Sequence, residues 1–194
     1  NKLNEIKNTL ETQYKIKVFV IQKDLTLPDA TKEVYKEVKT KNITIDYLIN
    51  NAGFGGIGKF HERDIQLDIS MINLNITALT TLTHYFLQDF TAKNSGKILN
   101  VSSTASFFPG PLQAVYFATK AYVTSFTNAV AEELHDTNIT ITNLMPGATE
   151  TDFAKISGMD KTAMFDKTTS AKSVALDGYN GMLKGKLDVI SGLT

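Results

Sequence analysis

Tyr116 and Lys120 stand four residues apart in the run Tyr-Phe-Ala-Thr-Lys, and Ser103 lies thirteen residues before the tyrosine. Positions i and i+4 of a helix share one face. A lysine ammonium beside a phenol stabilises phenolate, so the spacing predicts a Tyr116 pKa lowered from about 10 toward the working range. A tyrosine tuned in that way is a general acid/base for a carbonyl or an alcohol. Ser103 then supplies a hydroxyl to the same substrate oxygen. Tyrosine and lysine four apart also occur on ordinary surface helices, so the elements that position them must decide.

Those elements alternate. Helical patterns cover residues 4–14, 28–39, 64–90 (one long helix or two joined), 114–134 and 172–183. Short apolar strands are expected at 17–22, 45–50, 97–101, 140–144 and 187–190. Strands alternating with helices of this length predict parallel β-α-β units, and strands without strict polar alternation predict a sheet covered on both faces. Ligands bind beyond the carboxyl ends of such strands. Asp24, Asn51, Ser103 and the Pro146-Gly147 pair all fall there. With no linker or repeat, residues 1–194 are expected to form a single domain.

Each further motif has a competing explanation. Gly53-Phe54-Gly55-Gly56-Ile57-Gly58 fits the spacing of a dinucleotide turn. No amphipathic helix opens behind it and no acid follows at the required distance, so it reads as a flexible rim loop. Asn50-Asn51-Ala52-Gly53 offers small residues for close approach of a flat ring, or an asparagine-capped turn. Asn75, if buried, needs partners that a water chain toward Lys120 would supply, with Asn73 as competitor. Phe107, Phe108, Ile156, Met159, Met164 and Phe165 are candidates to line a hydrophobic pocket, with residues 153–168 as its lid. Residues 69–88 carry no charge and residues 121–131 none, which suggests burial on two sides.

Composition excludes other chemistries. The 194 residues are 42% hydrophobic and 21% charged, with zero net charge and no cysteine. Disulfides, thiolate catalysis and zinc–thiolate sites are ruled out. The three histidines lack metal-ligand spacing, so no metal is expected. Neutral charge gives no support to a nucleic-acid partner, and the uncharged stretch 69–88 is too polar for a membrane span. A cytoplasmic location is the expectation.

Asp24, Asn50-Asn51-Ala52-Gly53, Asn75, Ser103, Tyr116-x-x-x-Lys120 and Pro146-Gly147-x-x-x-Thr151 together resemble the short-chain dehydrogenase/reductase family, in its order and spacing. The resemblance implies a Rossmann-like, doubly wound parallel sheet with helices on both faces. It implies Asn75, Ser103, Tyr116 and Lys120 as catalytic residues. It implies Asp24, Leu25, Asn51, Ala52, Gly53, Tyr116, Lys120, Pro146, Gly147, Thr149 and Thr151 as cofactor contacts. The cofactor is expected to be NADP, with NAD as the alternative. The implied activity is carbonyl–alcohol interconversion on a small, hydrophobic substrate. A nucleotide-sugar epimerase or dehydratase, a non-catalytic scaffold and an inactive fragment are the alternatives. A homodimer or homotetramer through residues 69–88 and 114–134 is expected. The family's first strand and glycine-rich turn are not among these residues, so one β-α-β unit of about 35–45 residues is expected to be missing, and the C-terminal end to be short.

Overall fold

The computed structural model of the chain describes residues 2–158 and 168–192. Four parallel strands form the sheet in the order β1-β2-β3-β6: β1 (Tyr47–Asn50), β2 (Gly96–Val101), β3 (Ile139–Pro146) and β6 (Asp188–Ser191). Two residues each from β4 (Thr149–Glu150) and β5 (Thr169–Ser170) pair beside it. The helices are α1 (Lys2–Tyr14), α2 (Ala30–Thr40), α3 (Ile65–Ile72), α4 (Leu79–Lys93), α5 (Ala114–Glu133), α6 (Phe153–Ser157) and α7 (Ala171–Leu183).

Successive strand residues point to opposite faces, and each face finds its own helices. Ile98 and Ile141 join Val38 of α2 with Phe86 and Phe90 of α4 in one buried cluster. Leu99 and Leu144 join Val174 and Met182 of α7 in another. Helices on both faces of a parallel sheet make this the Rossmann-like α/β fold expected. Two glycines let α7 settle close: a Cβ on Gly178 would strike Leu144, and one on Gly181 would strike Val189.

The α2/α4/α5 face of the sheet also carries a polar row. Asn50, Asn100 and Asn143 are direct register partners across β1, β2 and β3, and Asn143 pairs with Asp188 of β6. Asn50 Nδ2 donates to Asn100 Oδ1 at 2.9 Å and to Thr83 of α4 at 3.0 Å. Asn100 Nδ2 donates to Thr127 of α5 at 3.0 Å, and Asn143 Nδ2 to Asp188 at 2.9 Å.

One expectation needs correction. Residues 17–22 form no strand. Ile21 packs against the Val38 cluster, the Val18 amide donates to the Glu11 carboxylate, and Phe19 stays 45% exposed. An apolar run signals burial, whereas a strand needs a neighbour to pair with, and this one has no ladder. The helical stretch expected at 64–90 is two helices joined end to end. Residues Asn73–Ala78 form a π-helical turn between α3 and α4, and α4 runs on to Lys93. Asn94, with φ at 46°, stops it as a left-handed cap.

Asn100 is fully buried and serves both Asn50 and Thr127. Asn100→Ala leaves a cavity and orphans two polar groups, so it is expected to cost about 2–4 kcal/mol of stability. Urea unfolding measures this; a loss below about 1 kcal/mol would make the polar row a bystander.

Candidate active site

The carboxyl ends of β1, β2 and β3 open onto one cavity of about 620 Å³. β1 delivers Asn51 and Gly53, β2 delivers Ser102 and Ser103, and β3 delivers Pro146 and Gly147. α5 starts beneath this rim, so Tyr116 lies in its first turn and Lys120 one turn deeper. Both face inward, at 8% and 6% exposure.

Lys120 is fixed by two strand-end groups. Its Nζ donates to Val101 O at 2.9 Å. Its own carbonyl accepts Ser102 Oγ at 2.8 Å, and that hydroxyl also bonds Thr124. A Cβ on Gly53 would lie 3.0 Å from Asn75 Oδ1 and 3.5 Å from Nζ, so the crowding that glycine avoids there is against the Asn75 amide, with the amine at ordinary contact distance. Burial pulls the Lys120 pKa down to about 8.

The Tyr116 ring lies 5.4 Å from Phe153 and 6.0 Å, edge on, from Phe117. Lys120 Nζ stands 5.9 Å from the ring centre. The phenol pKa is the reverse of the expectation: burial pushes it up to about 12, and the Ser103 hydroxyl only partly opposes this. The ammonium is committed to Val101 O, and desolvation of the phenolate prevails. Tyr116 is therefore a neutral O–H donor at neutral pH. Ser103 Oγ donates to Pro146 O at 3.4 Å and accepts from Ala105 N, which orients it.

Asn75 sits in the π-helical turn, 2% exposed, whereas Asn73 is only half-buried. Its Nδ2 donates to Phe54 O and to Thr119 Oγ1, both at 3.0 Å, and its Oδ1 accepts from Phe54 N at 3.1 Å. Both amide hydrogens are thus taken by protein. What remains for a relay is the second lone pair of Oδ1, which lies 3.0 Å from where a Gly53 Cβ would be.

Asn51, Gly53, Ser103, Tyr116, Lys120, Pro146, Gly147, Thr149 and Thr151 all line the cavity. Gly147 has no room for a Cβ, which would meet Gly192 O at 2.7 Å. Asp24, Leu25 and Ala52 stand off the lining. Asp24 is exposed, and hydrogen bonds from the Thr26 hydroxyl and amide hold its carboxyl below the usual range. Phe108 lines the cavity and Phe107 does not. The Ile156 side chain, Met159, Met164 and Phe165 lie outside the described residues. Sequence reasoning missed Phe54, Phe117 and Val174 as lining. Phe117 had a signal, adjacent to Tyr116; Val174 had none, because only the fold brings α7 to this rim.

The sequence pattern of the short-chain dehydrogenases matches residues 1–162. The chain belongs to the short-chain dehydrogenase family. It is 29% identical over 190 residues to a 7beta-hydroxysteroid dehydrogenase of Mediterraneibacter gnavus, covering 97% of this chain and 70% of that one. It is 34% identical over 158 residues to an NADP-dependent 3-hydroxy acid dehydrogenase of Schizosaccharomyces pombe, covering 79% and 60%. Among solved structures, a short-chain dehydrogenase from Sphingobium yanoikuyae in complex with NADPH superposes with a TM-score of 0.91 at 28% identity, over 99% of this chain and 74% of that one. The chain thus spans only part of the length of the relatives it matches. Among the described residues, no helix is long and apolar enough to cross a membrane, and no cluster of His, Asp or Glu is arranged to hold a metal.

Lys120 titrates near 8 in the folded chain and at the ordinary 10.5 when exposed. Between those values the unfolded chain binds more protons, so wild-type stability rises with pH there relative to Lys120→Met. Urea unfolding of both chains at about pH 7.5 and about pH 9.5 is expected to differ by ~1–3 kcal/mol more at the higher pH, in favour of the wild type. A constant difference would mean an unshifted amine. Tyr116 acts in the opposite sense only above about pH 10, outside this window.

Proposed function

We propose that the protein is an NADP(H)-dependent oxidoreductase that interconverts a carbonyl and an alcohol on a small hydrophobic molecule. The observation that carries this reading is Tyr116: a buried, neutral phenol next to the Ser103 hydroxyl and a buried amine, facing an apolar cavity. Phe54, Phe108, Phe117 and Phe153 supply apolar walls. Among the described lining residues, Lys120 and Asp152 are the only charges.

The residues fit a dinucleotide's nicotinamide end. Gly53 lacks the Cβ that would fill the space beside Lys120 and Asn75. Backbone at Pro146 and Gly147, with Thr149 and Thr151 beyond, offers polar groups along the same wall. When bound, the reduced nicotinamide supplies a hydride. Tyr116 Oη gives its proton to the substrate oxygen during reduction and takes one from the alcohol in reverse. Ser103 Oγ holds that oxygen toward Tyr116. Lys120, charged at neutral pH, steadies the phenolate as it forms. NADP is preferred to NAD because the S. pombe relative is NADP-dependent and the S. yanoikuyae structure holds NADPH.

The same reading includes self-association. Ile65, Ile69 and Ile72 form an exposed apolar stripe on α3, and Tyr122 of α5, stacked on Phe126, is 37% exposed. Tyr122→Asp is expected to shift the sedimentation profile toward monomer; an unchanged profile would place any interface elsewhere.

In the complete protein, Tyr116→Phe removes the proton donor and leaves the fold and the cofactor wall in place. Turnover of a hydrophobic ketone is expected to fall about 10²–10⁴-fold while the NADPH dissociation constant stays within about twofold. Turnover at the wild-type rate would refute the assignment.

A further inference from the structure

The Gly53–Gly58 run has the spacing of a phosphate-binding turn, but behind it comes only a short 3-10 turn, Phe60–Glu62. Its glycines make room for a side chain instead. Arg63 folds back through the loop. A Cβ on Gly56 would collide with the Arg63 guanidinium, and one on Gly58 would crowd its Cγ at 3.2 Å. Gly58 also has φ at 143°, a conformation that disfavours any other residue.

The guanidinium is used on two sides. Nε and Nη2 donate to Asp68 Oδ1 at 3.0 and 2.8 Å, and Nη1 donates to Ile57 O at 2.9 Å. The Asp68 side chain is 2% exposed and Arg63 15%. The loop has two further ties: Gly58 N donates to Leu112 O at 2.8 Å, and Asn75 clasps both backbone groups of Phe54. Phe54 lines the cavity, and Ile57 lies 3.3 Å from where a Gly158 Cβ would be, next to α6. A segment that reads as flexible is therefore tied at three points.

We propose that Arg63 and Asp68 are positioning residues for the substrate pocket. By filling the space that Gly56 and Gly58 leave and holding Ile57 O, the pair fixes the loop that carries Phe54, the one residue of 54–58 that lines the cavity, and so makes Phe54 a fixed apolar wall. That wall decides how well a bulky apolar substrate is held against Tyr116. A buried ion pair is a weak source of net stability, and fixing one conformation is a use it can serve. The proposal rests on the carbonyl–alcohol reading above, and its test separates the two.

Removing Arg63 alone would strand a buried carboxylate, so Arg63→Met is combined with Asp68→Leu. Gly56→Ala, which displaces the guanidinium, is likewise combined with Asp68→Leu as the second variant, and the exposed Lys59→Ala is the control. In the intact protein, amides of residues 54–58 are expected to exchange with deuterium about tenfold faster or more in both test variants, while β2 and β3 stay protected. KM for a bulky apolar ketone is expected to rise about tenfold, with kcat within about threefold, KM for a small ketone little changed and NADPH binding unaltered. Unchanged exchange in both variants overturns the proposal, as does an equal effect on small and bulky ketones. If the wild type reduces no ketone yet the exchange contrast is present, the pair positions the loop and the carbonyl–alcohol reading is what fails.

Discussion

A lysine amine buried at the wall of the cavity constrains everything around it. Lys120 is 6% exposed, and its Nζ makes one hydrogen bond, to Val101 O. Burying an ammonium is unfavourable, and the fall of its pKa to about 8 expresses that cost. The geometry compensates by leaving the amine no slack. The end of β2 supplies the acceptor, and Ser102 grips the lysine's own carbonyl. The end of β2 and α5 are thereby fixed relative to each other, and Tyr116, one helical turn away, inherits that precision.

The polar row across the sheet serves the same end from beneath. Asn50, Asn100, Asn143 and Asp188 lie at one register level, just below the rim. A slip of one residue in any strand would turn its amide toward the α7 face, against Leu99, Leu144 and Val174. Thr83 of α4 accepts from Asn50 and Thr127 of α5 from Asn100, so the row locates the helices as well as the strands. Hydrogen bonds of this kind specify geometry more than they add stability.

Much of this was legible from spacing, and the failures are instructive. Strands 97–101 and 140–144 lie within the observed ones because apolar runs between turn residues, buried on two faces, leave little else to be. Ser103, Tyr116 and Lys120 converge because strand ends and one helix face force it. Residues 17–22 looked as strand-like as these, but hydrophobicity reports burial and says nothing about the partner a ladder requires. The Tyr116 pKa was misjudged because spacing gives the distance to a charge and leaves desolvation unseen. The glycine run was read as flexible because its tether, Arg63, looks in sequence like any surface arginine.

The π-helical turn at Asn73–Ala78 closes rings one residue larger than those of α3 and α4 on either side. It behaves as a single inserted residue inside an otherwise continuous helix. Loss of one residue there would return the turn to ordinary pitch without rotating the buried faces of α3 and α4. Asn75 would leave Phe54, and the scaffold would persist. Chain length in this one turn is therefore an independent variable: it governs the anchoring of the cavity rim and is nearly silent in the packing of the sheet.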